Sequence, residues 1–209
     1  MGANEGKSAS ELLPDQLDLP ALRGAAAGCQ ACDLWRTGTQ TVFGEGSPRA
    51  DLMLVGEQPG DQEDLSGKPF VGPAGRLLDR ALEEAGIDRG KVYVTNVVKH
   101  FKWTGRGKRR IHEKPNQAEI SACSPWIKAE VEVLRPRLIV CLGATAGQAI
   151  IGPGFRVTKE RGQVKRSLLG PPAVGTVHPS SILRAPDEES RHHAFQALVA
   201  DLRAVAREV

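Results

Sequence analysis

Glu57, Asn96 and His178 are three side chains that could move a proton or read a hydrogen-bonding ligand. Each directly follows a short apolar run. Glu57 lies in Gly56-Glu-Gln-Pro-Gly60, Asn96 opens Asn96-Val-Val-Lys99, and His178 opens His178-Pro-Ser-Ser181. A carboxylate can take a proton or face a developing cation. A carboxamide can donate and accept at once, and an imidazole works near neutral pH. Taken singly, each also fits an ordinary exposed acid, an Asx-turn residue or a packed histidine. The cysteines Cys29, Cys32, Cys123 and Cys141 form a second group. An even count suits disulfides in an exported protein, but Met1–Ser10 has no apolar signal region, so a reduced compartment and metal or cluster ligation is the better reading. A third group is basic: Lys99, Lys102, Arg106, Lys108, Arg109 and Arg110 have no acid among them, and His112 follows closely. Arg156, Lys159, Arg161, Lys165 and Arg166 make a second cluster, interrupted by Glu160. The net charge of +3 says little, but local clusters of this kind suit a phosphate backbone as well as a solvated surface.

The elements that must position these residues alternate. Apolar runs at Asp51–Val55, Lys91–Thr95, Arg137–Cys141 and Ala173–Val177 read as buried strands. Helical spacing covers Leu17–Ala27, Arg76–Ala85, Ala144–Ile151 and Glu188 to about Arg207. Asn116 can cap a further helix to about Leu134. Strands alternating with helices imply an α/β fold, with a mostly parallel four-stranded sheet covered on both faces. Parallel strands end on one edge, where open α/β sheets bind ligands. Glu57, Asn96, Gly143-Ala-Thr145 and His178 can therefore meet although far apart in sequence.

The chain has 209 residues, 40% of them hydrophobic. That supports one real core and excludes a disordered chain. No apolar run approaches the ~20 residues of a membrane span. Residues 1–16 read as a flexible tail and 17–209 as one domain, expected to be a cytoplasmic monomer.

Taken in order, Gly56-Glu-Gln-Pro-Gly60, Gly67-Lys-Pro-Phe-Val-Gly-Pro-Ala-Gly75, Thr95-Asn-Val-Val-Lys99 and His178-Pro-Ser-Ser181 resemble the uracil-DNA glycosylase superfamily, and most closely its iron–sulfur branch, family 4. The resemblance runs from about Cys29 to Arg203. It implies a three-layer α/β/α sandwich, uracil-containing DNA as partner with single strands accepted, and a bacterial cytoplasmic setting. It implies that Phe70 stacks on a base turned out of the strand, that Asn96 pairs with its edge, and that His178 donates to the O2 oxygen as the N-glycosidic bond breaks. Glu57 would face the sugar cation, and Gln58 and Asp61 would help hold the base and its waters. Cys29, Cys32, Cys123 and Cys141 resemble the ligands of a structural [4Fe–4S] cluster; zinc and buried free thiols are the alternatives.

One segment departs from ordinary family 4. Gly105–His112 is an insertion, and its Lys108-Arg-Arg-Ile-His112 resembles the loop of the UdgX subgroup, as does Gln58. Members of that subgroup are similar to glycosylases but become covalently attached to DNA through the loop histidine. The implication is a single-turnover reaction in which His112 attacks the sugar. Lys99, Lys108, Arg109, Arg110 and Arg184 would bind DNA, and Ile182 and Leu183 would wedge into the base stack. The competing readings are a hydrolytic glycosylase with turnover and a non-catalytic DNA-binding module.

Overall fold

The computed structural model describes residues 8–107 and 109–209. In chain order the elements are α1 (Leu19–Ala26), β1 (Glu45–Gly46), β2 (Leu52–Gly56), α2 (Asp61–Ser66), α3 (Pro73–Ala85), β3 (Val92–Asn96), β4 (Trp103–Arg106), β5 (Arg109–His112), α4 (Gln117–Leu134), β6 (Leu138–Leu142), α5 (Ala144–Ile150), α6 (Val157–Glu160), β7 (Val164–Lys165), β8 (Ala173–Thr176), α7 (Pro179–Leu183) and α8 (Glu188–Val205). No helix among the described residues is long and apolar enough to cross a membrane.

Six strands form the main sheet, in the order β1-β3-β2-β6-β8-β7. The inner four are parallel, as the apolar runs predict, with Gly56 beside Asn96 and Leu142 beside Thr176 at their C-terminal ends. The four-stranded expectation falls short because β1 and β7 add antiparallel edges of two residues each, too short to leave a periodic signal. All residues of β2, β3 and β6 are buried. Alternate side chains still enter opposite layers: Met53 and Val55 pack with Trp126, Ile127 and Ala146, whereas Leu52 and Leu54 pack with Leu78, Leu82, Leu198 and Leu202. The sheet thus lies between a layer of α1, α4 and α5 and a layer of α3, α7 and α8.

Helix ends follow their local chemistry. Pro73 begins α3, and Gly86 ends it at φ +77°. Asn116 and Glu119 close a reciprocal capping box on α4. Two expectations need correction. The tail predicted over 1–16 is docked where it is described: Ala9 is fully buried in the layer containing α4. Residues 1–7 lie outside the described part. The basic insertion is a β-hairpin, with β4 and β5 paired antiparallel and Trp103 opposite His112.

Candidate active site

The C-terminal ends of the four parallel strands open into a cavity of about 770 Å³, bordered by Glu57, Phe70, Asn96, His112, His178 and Arg184. Chain order places β3 on one side of β2 and β6 on the other, so the crevice between β2 and β6 is where the winding reverses. Glu57 spans it, accepting a hydrogen bond from Thr145 Oγ1 at the start of α5. Its other oxygen faces His112 Nε2 at 3.3 Å. Burial alone would raise the Glu57 carboxyl. Hydrogen bonds from His112 and Thr145, with the nearby histidine charges, reverse this and hold it below the usual value. Glu57 is therefore an ionised carboxylate touching a half-exposed imidazole, suited to orienting it, taking its proton or facing a cation.

Asn96 ends β3 with its side chain 2% exposed, and its Oδ1 has no hydrogen-bond partner among the described residues. A buried acceptor left unpaired costs about 1–3 kcal/mol, so a ligand N–H would be welcome there. Phe70 forms the wall above it and takes the left-handed φ of +57°. Two glycines permit this arrangement. A Cβ on Gly75 would collide with the Phe70 carbonyl, and one on Gly56 would strike Asn96 Oδ1. Glu63 Oε1 accepts the Gly72 N–H at 2.6 Å and ties the Phe70 turn to α2.

His178 begins α7. Its Nδ1 accepts the backbone N–H of Ser180 at 3.1 Å, so the neutral ring carries its proton on Nε2. Burial chiefly lowers its pKa, to about 4; Glu57 pulls it up, and Arg184 and His112 push it down. The cavity thus receives an uncharged N–H donor.

Several predicted contacts fall elsewhere. Gln58 borders the cavity, but its side-chain amide donates to Lys102 O at 3.1 Å and Glu113 O at 3.0 Å and accepts from Lys102 N at 3.2 Å. It holds both roots of the hairpin. Asp61 is not free for a base either. It pairs with Arg110 at 2.5 Å, while the fully buried Asp64 pairs with the same guanidinium at 2.6 Å. Arg110 also lies over the rings of Phe101 and Trp103 at 5.5 and 5.6 Å. It is a pin for the hairpin, with little left for a phosphate. Lys99, placed on DNA by the charge run, is fully buried and paired with Glu130 at 2.5 Å, because α4 covers it. Ile182 is 1% exposed and packs in the core, which leaves Leu183, at 38%, as the available wedge. Arg109 and Arg184 are exposed; Lys108 lies outside the described residues.

The pattern of the Uracil DNA glycosylase superfamily matches residues 43–203. The chain belongs to this superfamily. A type-4 uracil-DNA glycosylase of Pyrobaculum aerophilum is 36% identical over 177 residues, covering 81% of this chain and 87% of that protein. One from Thermotoga maritima is 40% identical over 164 residues, covering 78% and 82%. One from Sulfurisphaera tokodaii is 39% identical over 150 residues, covering 69% of this chain and 65% of its own length.

In this superfamily member the cysteines divide three to one. Cys29 accepts the indole N–H of Trp126, and Cys123 accepts the backbone N–H of Lys99, both at 3.3 Å. Burial pushes the Cys123 thiol up to about 12; the Lys99 charge and amide pull it down, and Cys32 and Cys29 add smaller upward pushes. N–H donors aimed at sulfur suit thiolates that carry charge on a metal centre. Cys141 differs. It lies within β6, between Val55 and Gly175, and burial alone raises its thiol to about 12. Cys141, expected as the fourth ligand, shares the core layer of Cys29 and Cys123, and no contact among the described residues links it to them. The residue the sequence reading missed is His100. It is 4% exposed, follows Lys99, and lies with its ring against Gly38 just past Cys32; Thr41 Oγ1 engages Nε2 at 3.0 Å and leaves Nδ1 for another partner. Its type, four residues past the end of the buried strand β3, was the available signal.

Proposed function

We propose that this protein binds uracil in DNA, breaks its N-glycosidic bond and becomes covalently attached to the resulting sugar through His112. The observation that carries the reading is His112 Nε2 at 3.3 Å from Glu57, inside the cavity that also holds Asn96, Phe70 and His178. The flipped base stacks on Phe70. Asn96 Oδ1 accepts the uracil N3–H and its amide nitrogen donates to O4, a pattern that cytosine reverses. His178 Nε2–H donates to O2, where charge gathers as the bond breaks; one such donor contributes about 2.7–4 kcal/mol. Glu57 faces C1′ as positive charge develops.

The covalent step balances as follows. Glu57 takes the Nε2 proton of His112 as Nδ1 takes one from solvent, leaving a neutral ring with its proton on Nδ1 and a lone pair on Nε2. That lone pair bonds to C1′ as the C1′–N1 electron pair leaves with uracil. The uracil anion takes up the proton held by Glu57, which restores the carboxylate, and the alkylated ring releases its Nδ1 proton to solvent. The C–N bond formed has no good leaving group, so the protein acts once. Exposed Arg109 and Arg184 would meet phosphates, as would Lys108 by its sequence position, and Leu183 would fill the place of the extruded base.

The type-4 names of the relatives support a second reading, hydrolysis with turnover. A denaturing gel with a single-stranded uracil oligonucleotide separates the two. An SDS-resistant species lost in His112→Ser supports attachment. Free uracil in excess over protein, with no such species, supports hydrolysis.

By donor chemistry, Cys29, Cys32 and Cys123, with His100, are the residues that would hold a [4Fe–4S] cluster, although their side chains are not gathered into a metal-binding group among the described residues. When bound, the cluster supplies a structural crosslink and no redox step. The four residues join the N-terminal segment to α4 and to the strand end that bears Asn96.

A further inference from the structure

The fully buried pair Lys99–Glu130 touches the main chain of Asn96, which lines the cavity, and takes no part in the chemistry above. The Lys99 ammonium donates to Glu130 at 2.5 Å, to Thr95 Oγ1 at 2.6 Å and to the main-chain carbonyl of Asn96 at 2.8 Å. Glu130 is in turn held by Tyr93 Oη at 2.9 Å and Thr95 Oγ1 at 3.0 Å. All three donor positions of the ammonium are thereby filled. At its other end, the Lys99 amide donates to Cys123 Sγ at 3.3 Å. Removing a single partner from a buried ion pair is strongly destabilising, and a hydrophobic pair often serves stability as well. Stability alone therefore does not explain a lysine here.

We infer that Lys99 is a positioning residue: its side chain fixes the Asn96 carbonyl, and so the direction of the Asn96 carboxamide, while its amide ties that register to the sulfur site on α4. The argument is geometric. Asn96 is the last residue of β3, and its Oδ1 has no partner of its own. Beyond Asn96 the backbone turns away from the sheet: the Val97 and Val98 amides bond to Gly56 and Glu57 carbonyls. Within this turn the Asn96 carbonyl is gripped by the ammonium three residues on. Without that grip the peptide plane can rotate, and the carboxamide turns with it. The inference rests on the reading of Asn96 as the residue that meets the base.

The test compares neutral replacements of the whole pair. Lys99→Met/Glu130→Gln keeps acceptors for Tyr93 and Thr95 but offers the Asn96 carbonyl no donor. Lys99→Gln/Glu130→Gln returns an N–H donor. Each is measured for melting temperature, for rate of reaction at saturating single-stranded uracil DNA, and for affinity for an oligonucleotide with a tetrahydrofuran abasic analogue, which has no base to read. In the methionine pair the saturating rate should fall about 10–100-fold, the scale of a misplacement near 1 Å. Abasic affinity should stay unchanged, and the glutamine pair should recover part of the rate. Equal rates in the two pairs, or parallel loss of rate and abasic affinity, would overturn the inference. Should both pairs fail to melt cooperatively, a role in overall folding would be shown, and the inference would fall too. Asn96→Ala serves as the control: if it leaves the rate on uracil DNA intact, the reading of Asn96 itself fails, separately from the role of Lys99.

Discussion

Replacing Arg110 with methionine separates the stability of the hairpin from its chemistry. Arg110 is 19% exposed and holds Asp61 and the fully buried Asp64. Asp64 would keep the Thr39 amide and hydroxyl as donors, at 2.9 and 2.6 Å, but lose its counter-charge. Breaking a fully buried pair costs about 3–5 kcal/mol. With those donors retained and one partner partly exposed, about 2–3 kcal/mol is the scale, or about 4–12 °C in melting temperature for a chain of this size. Neutralising the orphan in Arg110→Met/Asp64→Asn should return most of the stability. The hairpin would still lack its pin, because no guanidinium bridges β5 to α2. His112, two residues along β5, should then sample positions away from Glu57, and the adduct rate should remain about 10–100-fold low in both variants. Differential scanning calorimetry and timed denaturing gels give the two readouts. An adduct rate restored together with the melting temperature would refute the reasoning.

Gly56→Ala should reduce reaction with uracil DNA by about 100-fold or more, since its Cβ would meet Asn96 Oδ1 and come within 2.8 Å of Phe70 Cζ; affinity for abasic DNA, measured by anisotropy, should survive. The pKa of His178 is about 4 when folded and about 6.5 when unfolded. The unfolded chain therefore binds more protons between these values, and stability should fall as pH drops from about 6.5 to 4, by on the order of 2–3 kcal/mol after allowance for the half-buried ring. His178→Asn should flatten that slope in chemical denaturation. Cys141→Ser should keep the visible absorbance and iron content of the purified protein, whereas Cys123→Ser and His100→Ser should lower both. Arg109→Ala should weaken DNA binding at every sequence alike and reduce the salt slope by about 0.7 on single strands.

The inner strands were legible because fully buried parallel strands read as continuous apolar runs, and β2 and β6 are five such residues each. Their shared edge followed from parallel order alone, so Glu57, Asn96 and His178 could be brought together on paper. What the sequence hid was pairing at long range. Nothing in the run of cations distinguishes Lys99, which faces a glutamate 31 residues away, from Arg109, which faces solvent. The apolar neighbours Val97, Val98 and Phe101 were the quiet sign of its burial. Asp61 and Gln58 sit beside the glutamate of the first motif, yet their partners lie 49 and 44 or 55 residues on, in the hairpin. Cys141 shares its residue type with Cys29, Cys32 and Cys123, but a cysteine in mid-strand is a small hydrophobe as readily as a ligand.

The two short outer strands have a consequence for how copies of the protein would coexist. Each offers only two residues of open backbone, running against its neighbour. Long flat borders invite another chain to add on, and abbreviated ones discourage it. Under the proposed attachment through His112, copies would stand near one another on any strand bearing several lesions. With borders this brief, such crowding need not seed a filament, and each molecule can stay an independent mark on the strand.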